Sequence, residues 1–399
     1  MAMRDTDVEI RGDSLAGKKI LLGVSGGIAA VDTVRLAREL RRHGAIVSVM
    51  MTHSAQKIIT PLAVEWATQT NVITDWESDL SALDDVDGIL ISPATRDLLA
   101  SYLHGLQHGP ILMALSAARS RTCPVMMIPS MHADLADDPV TSDLVTEVES
   151  LGIKVHWGEE EEGKRKTPPH SEIVARFANY INQHKANRKS IVITLGATRS
   201  PIDDIRFVQN TSSGSTGYQI ADHLYRHGHD VTCVCGITSY NRPNWLPLVI
   251  KAYTPNEMLN ELMALSNDDI DAWVHCAAVL DYVVDSPAEG KLASQQGPLD
   301  VKLVESPKHI LELKEKCQNA VRIGFKLETG IKQKELVRRA VAQLEYAGMT
   351  AVVANRLEDL HHKSRARAYL VDKTGADFTL DTMQDVCIAI STIIERGNR

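Results

Sequence analysis

Cysteine is scarce and scattered in this chain of 399 residues. Its six cysteines (Cys123, Cys233, Cys235, Cys276, Cys317 and Cys387) form no CxxC pair and have no metal-ligand spacing. That excludes a disulfide framework and a metal site of recognisable pattern. Lying mostly in apolar runs, the thiols are expected to be buried and reduced. Long hydrophobic runs are missing too, since none approaches the ~18 residues of a membrane span. Met1 to Asp13 is charged and has no apolar core of the secretory kind, so a cytoplasmic protein is expected. Nor is there an excess of positive charge: 43 Lys and Arg against 51 Asp and Glu leave a formal net charge of −8. This argues against nucleic acid as the main partner, while local basic groups can still hold phosphates.

What is present is an ordinary α/β composition, 44% hydrophobic and 24% charged. At ~150 residues per domain the length allows two or three domains. The first half opens on the apolar run Lys18–Val24 followed by Ser25-Gly26-Gly27-Ile28-Ala29-Ala30, then a helix pattern and a second strand, Ile46–Met51. Gly88–Ile91 leads into Ser92-Pro93-Ala94-Thr95, and Pro124–Ile128 into Pro129-Ser130-Met131-His132. Strands alternating with helices and ending in short polar loops predict a parallel, doubly wound sheet with its ligand beyond the carboxyl ends of the strands. A solvated loop, Gly158 to His170, and the polar stretch Asn182 to Lys189 interrupt the pattern, which restarts at Ile191. The expected organisation is a tail over 1–17, one domain over 18–185 and a second over 186–399. Both are expected to be Rossmann-like parallel-sheet domains, with no internal repeat relating them.

The most particular segment runs from Gly196 through Arg199, Arg206 and Asn210 to Ser212-Ser213-Gly214. It follows the apolar run Ile191–Thr194 and precedes a helical pattern at Tyr218. A buried strand, a loop of small residues and a helix start together aim backbone N–H groups and the positive end of a helix dipole at an anion.

These residues resemble the bifunctional phosphopantothenoylcysteine decarboxylase/phosphopantothenate–cysteine ligase family of coenzyme A synthesis, from about Lys18 to the end. The match in the second half includes Gly196–Asn210, Ser212-Ser213-Gly214, Ala277-Ala278-Val279-Leu280-Asp281-Tyr282, Lys291, Gly324-Phe325-Lys326-Leu327-Glu328-Thr329 and Val352-Val353-Ala354-Asn355. The resemblance implies a flavodoxin-like flavoprotein domain followed by a ligase domain. It implies a CTP-dependent joining of 4'-phosphopantothenate to cysteine through an acyl-cytidylate, with Mg²⁺ accompanying CTP. By that resemblance Asn210 and Lys291 are catalytic, Asn210 donating to the acyl carbonyl oxygen and Lys291 meeting the triphosphate. Gly196, Thr198, Arg206, Ser212, Ser213 and Gly214 bind substrate. Ala277, Ala278, Asp281, Lys291, Phe325 and Lys326 hold the nucleotide. In the first half Ser25, Gly26, Gly27, Thr52, Ser54, Ser92, Pro93, Ala94 and Thr95 match the loops that hold FMN. No resident metal site is expected. The resemblance further implies a homo-oligomer, trimeric through the flavin domain and dimeric through the ligase domain. The helix Thr33–Arg42 and the loop after Ser92 are then interface candidates.

The chain also departs from the family. Lysines usual in the ligase half are replaced by Ser215, Gln343 and Ala347, and only the first cation of the tract at Lys291 is kept. Lys326 is a substitute cation within a motif, whereas Arg365 and Arg367 are expected at the surface. In the decarboxylase half the usual histidine aligns with Asp79-Leu80 and the usual asparagine with His132, and Gly158 to His170 contains no cysteine. An anionic Asp79 would repel a substrate carboxylate by ~1 kcal/mol or more at contact distance. The ordinary decarboxylation is therefore expected to be lost or altered. His43, His104, His108, His223, His227 and His229 are expected to be surface or structural. Three functional readings follow: a CTP-dependent ligase, a related ligase for another carboxylate or nucleotide, or a non-catalytic flavin- or nucleotide-binding subunit.

Overall fold

Exposing runs of Val, Ile, Leu and Met to water raises the free energy, and in the computed structural model of the chain these runs become strands buried on both faces. The structure describes residues 7–75, 85–294, 297–360, 362, 364–374 and 377–397. They form two compact units, one up to Asn182 and one from Gln183 onward.

In the first unit the strands are β1 (Lys19–Val24), β2 (Ile46–Met51), β3 (Val72–Ile73), β4 (Gly88–Ala94), β5 (Val125–Pro129), β6 (Met131–His132), β7 (Lys154–Val155), β8 (Glu160–Glu161) and β9 (Lys164–Arg165). The main sheet has the order β3-β2-β1-β4-β5-β7 with every pairing parallel. Without the two-residue edge strand β3 the order is that of a flavodoxin-like fold, with the switch point between β1 and β4. The period of two along β1 sorts its side chains between two cores. Ile20, Leu22 and Val24 join Leu36, Leu40, Val64 and Phe177 on one face. Leu21 joins Leu98, Leu99, Ile111 and Leu115 on the other. The described residues ahead of β1 carry no helix or strand, but Leu15 is fully buried in the first of these cores.

The second unit contains β10 (Ser190–Leu195), β11 (Arg199–Pro201), β12 (Phe207–Gln209), β13 (Asp230–Cys235), β14 (Leu248–Lys251), β15 (Ala272–His275), β16 (Tyr282–Val284), β17 (Leu303–Glu305), β18 (Val321–Glu328), β19 (Ala351–Arg356), β20 (Ala368–Asp372) and β21 (Asp377–Leu380). Its sheet runs β14-β13-β10-β15-β18-β19-β20-β21. The strands are parallel as far as β19, and an antiparallel pair, β20 and β21, closes the edge. The strand order reverses between β10 and β15, so the loops after β10, β15 and β18 open at one edge.

Candidate active site

β10 ends at Leu195, and the chain turns at once. Gly196 has φ +79, and a Cβ there would lie 2.7 Å from the Ile237 carbonyl oxygen, so both the turn and the close approach require glycine. The loops after β10 and β15 are then laced together. Ala278 N donates to Gly196 O at 2.8 Å and Thr198 N to Ala278 O at 3.1 Å. The fully buried Thr198 hydroxyl accepts from Leu280 N at 2.9 Å. Further on, Gly214 (φ +78) starts the helix Ser215–Arg226, which has no side-chain cap bond. Gly214 N and Ser215 N donate to the Ser212 and Ser213 hydroxyls at 3.4 and 3.3 Å, and the positive end of the helix lies at a cavity that Ser215, Thr216 and Gly217 line.

These loops enclose a cavity of about 760 Å³, lined by residues that include Gly196, Asn210, Ser212, Ser213, Gly214, Ala277, Ala278, Asp281, Phe325 and Lys326. That volume suits a nucleotide-sized ligand. Ten of the thirteen expected catalytic, substrate and nucleotide residues thus meet at one edge of one sheet. Asn210 uses its amide differently from the sequence-based expectation. Its Nδ2 donates to Ala278 O at 3.3 Å and Val279 O at 3.0 Å, tying down the loop after β15. Both N–H groups are engaged, which leaves Oδ1 as the remaining polar atom of that side chain.

Three expected residues do not line the cavity. Thr198 is buried behind it and acts on the Leu280 backbone. Arg206 donates to the Asp203 carboxylate at 2.9 Å and to Leu292 O at 3.3 Å. Asp203, itself buried, also accepts from the backbone N–H groups of Ile205, Arg206 and Leu292. Burial pushes the Asp203 carboxyl up, but those N–H groups win and hold it below the usual carboxylate range. Lys291 is exposed on the segment that this cluster anchors through Leu292.

Of the positions where the resemblance implies lysine, Gln343 is buried and donates to Phe325 O at 3.3 Å, and Ala347 is fully buried. Lys326 pairs with Glu328 at 3.2 Å. Although burial pushes the Glu328 carboxyl up, Arg339 and Lys326 together hold it low. Arg365 is a half-exposed partner of Asp359. Arg367 corrects the surface expectation. It is partly buried, donates to Leu360 O at 2.9 Å and reaches Thr216 Oγ1 at 3.4 Å, and burial lowers its pKa.

Sequence reasoning missed His275, Lys308, His309 and Tyr346, which also line the cavity. Its one available signal was a histidine inside the apolar run Ala272–Cys276. Burial pushes the Cys276 thiol up to about 12, so it stays protonated at neutral pH. Among the other histidines, His43, His223 and His229 are buried. His229 accepts from Lys189 N at 3.2 Å and meets Glu395 at 3.3 Å, a structural role.

In the first unit the loops after β1, β2 and β4 converge at the switch point. Ser25 Oγ donates to Pro93 O at 2.7 Å and accepts from Thr95 N at 2.9 Å. A Cβ on Gly26 would come within 2.3 Å of Ser54 Cβ, and one on Gly27 would meet Pro93 at 3.4 Å and Ser130 O at 3.7 Å. Ser25, Ser92, Pro93 and Ala94 are buried and shape the cradle, while Gly26, Gly27, Thr52, Ser54 and Thr95 keep exposed surface. The Thr52 and Thr95 hydroxyls cap the helices after them and retain their own protons for donation. Close backbone approach with short hydroxyl donors fits a flat ring bearing a phosphate. Asp79 and Leu80 lie outside the described residues. Met131 and His132 pair with Arg165 and Lys164 of the β8–β9 hairpin, so the Gly158–His170 segment folds onto the loop after β5.

Comparison with known proteins divides the chain similarly. The family described as Flavoprotein matches residues 9–182, and the DNA/pantothenate metabolism flavoprotein C-terminal domain matches residues 186–396. The coenzyme A biosynthesis bifunctional protein CoaBC of Thermococcus kodakarensis is 36% identical over 352 residues, covering 86% of each chain. The chain belongs to the CoaBC family. The CoaBC protein of Methanocaldococcus jannaschii is 30% identical over 86% of this chain and 84% of its own. That of Escherichia coli K12 is 32% identical over 74% and 76%. The cavity lies within the segment matched to the C-terminal domain, and the glycine cradle within the segment matched to the flavoprotein domain. This CoaBC family member therefore carries both parts of a coenzyme A biosynthesis bifunctional protein. No helix among the described residues is long and apolar enough to cross a membrane.

Proposed function

We propose that the second unit joins 4'-phosphopantothenate to cysteine with CTP. The observation that supports this best is the convergence of Asn210, Ser212–Gly214, Ala277–Asp281 and Phe325–Lys326 on one cavity. A carboxylate oxygen of phosphopantothenate attacks the α-phosphorus of CTP, pyrophosphate leaves, and an acyl-cytidylate forms. The cysteine amine then attacks the acyl carbon, loses a proton and expels CMP. The open N-terminus of the helix after Gly214 and the Lys326 ammonium offset phosphate charge in this low-dielectric site. Mg²⁺ accompanying CTP would share that charge. Ala277 to Asp281, held by Thr198 and Asn210, fixes the nucleotide, and Phe325 offers it an apolar face. Lys291, on its anchored and exposed segment, serves the triphosphate from outside the cavity wall. The test is pyrophosphate release and product mass with CTP, Mg²⁺, phosphopantothenate and cysteine.

The loss of cations at 215, 343 and 347 favours one second reading, a ligase of the same chemistry with another nucleotide; replacing CTP by ATP in the same assay separates the two. For the first unit we propose FMN binding by Gly26, Gly27, Thr52, Ser54 and Thr95. Bound flavin would supply two-electron oxidation and reduction of a cysteinyl thiol. This chain places Asp79 and His132 at the positions usual for the substrate-handling histidine and asparagine, so ordinary decarboxylation is not expected. Ile28 and Val31, 77% and 53% exposed beside the cradle, support self-association of this unit, which mass measurement in solution would test.

A further inference from the structure

Two buried histidines in the cavity wall have no role in the reading above. His275 ends β15 with 8% of its surface exposed, and His309 begins the short helix His309–Glu312 with 5% exposed. Both line the cavity. Neither ring nitrogen of His309 makes a well-aligned hydrogen bond, the Pro255 carbonyl being its one polar neighbour, and Nε2 of His275 has no partner among the described residues. A buried polar atom without a partner carries a desolvation cost, and native proteins keep few of them. Here they sit where a ligand can complete them.

Their electrostatic setting decides what kind of ligand. Burial holds the His275 imidazole down to about 3, helped by the Arg322 charge and by His309, while burial holds His309 at about 4 against the Pro255 carbonyl. Both rings are therefore neutral at physiological pH, each with one N–H donor and one nitrogen acceptor. Arg322, the cation beside them, is buried and engaged: it donates to Ala347 O at 2.7 Å and Ile310 O at 2.6 Å. Lys308, exposed and lining the cavity beside His309, can meet phosphate at the rim, but a phosphate or carboxylate on the buried rings themselves would need a cation there. A neutral group with both donors and acceptors on one edge does not.

We propose that His275 and His309 form an uncharged hydrogen-bonding floor that recognises the edge of a nucleobase and so sets which nucleotide the cavity accepts. This rests on the nucleotide-binding reading of the second unit, but not on turnover. The phosphate groups then belong to the helix start at Gly214 and to Lys326.

The experiment uses the full chain and calorimetric titration with CMP, UMP, AMP, GMP, CTP and inorganic tripolyphosphate. In the His275→Leu/His309→Leu double variant the Kd for the preferred monophosphate and its triphosphate should rise by the same factor, ten-fold or more. The Kd for tripolyphosphate should stay unchanged. Removing unsatisfied groups should leave the thermal midpoint unchanged or higher. His275→Gln and His309→Gln, which keep a donor and an acceptor, should recover part of the affinity or alter the base preference. Loss confined to CTP and tripolyphosphate, or unchanged affinity for every nucleotide, would overturn the proposal. So would a wild-type chain that binds tripolyphosphate but no nucleoside monophosphate. Nucleotide binding that is lost in the double variant, in a chain that releases no pyrophosphate, would support the floor while refuting the ligase reading.

Discussion

His275 and His309 also make a prediction about stability. With pKa values of about 3 and about 4 in the fold, against an ordinary ~6.5, they bind fewer protons folded than unfolded. The stability linked to them is complete above ~pH 6.5 and is lost as the pH falls towards those folded values. Each contributes a slope of up to ~1.4 kcal/mol per pH unit in that window. Urea unfolding at pH 7 and pH 5 should therefore show a smaller acid loss in the His275→Leu/His309→Leu variant than in the wild type; equal losses would contradict it. Gly214 is the other sensitive residue. Alanine there would adopt a left-handed φ and bring Cβ to 2.5 Å from Thr238 Cγ2. A destabilisation of about 1–3 kcal/mol is expected, together with weaker nucleotide binding. A chemical unfolding curve matching the wild type would refute this. Neither histidine was legible in the sequence. A polar residue at the end of an apolar strand does not reveal whether it faces a core or a ligand, whereas the small residues at 196 and 212–214 signal a tight approach by composition alone.

At the scale of elements, the parallel strands were legible because they are buried on both faces and so are written as unbroken apolar runs. Their ends, which build the site, were less so. Thr198, Arg206 and Asn210 all looked like ligand contacts because they are polar and lie near the loop. In the fold Thr198 Oγ1, one Arg206 N–H and Asn210 Nδ2 bond to backbone of distant segments, at Leu280, Leu292 and Ala278–Val279 respectively. Arg206 also pairs with Asp203, and Asn210 still lines the cavity. Sequence separation hides the distant partners. Thr198→Val keeps the shape and removes the acceptor of the Leu280 N–H, which should cost about 1–3 kcal/mol. Because that bond fixes the loop holding the nucleotide, KM for the nucleotide should rise more than kcat falls. A change confined to thermal stability would show that the loop is held by other means. Arg367 was misread for the same reason, since its bonds to Leu360 O and Thr216 bring a nominal surface charge into the packing.

For the molecule as a whole, the two matched families and the two compact units describe a CoaBC family member with a flavoprotein unit and a second α/β unit. The flavin unit keeps its glycine cradle, so the purified protein is expected to show bound-flavin absorbance, and Gly26→Val, which drives a side chain into Ser54, should abolish it. A chain that retains flavin in that variant would refute the cradle assignment. The most direct test of the central claim is one reaction: full-length protein with CTP, Mg²⁺, phosphopantothenate and cysteine, following pyrophosphate and product mass together. The account predicts CTP-dependent pyrophosphate release with the mass of phosphopantothenoylcysteine and no subsequent loss of CO₂. An absence of pyrophosphate with both CTP and ATP would contradict it.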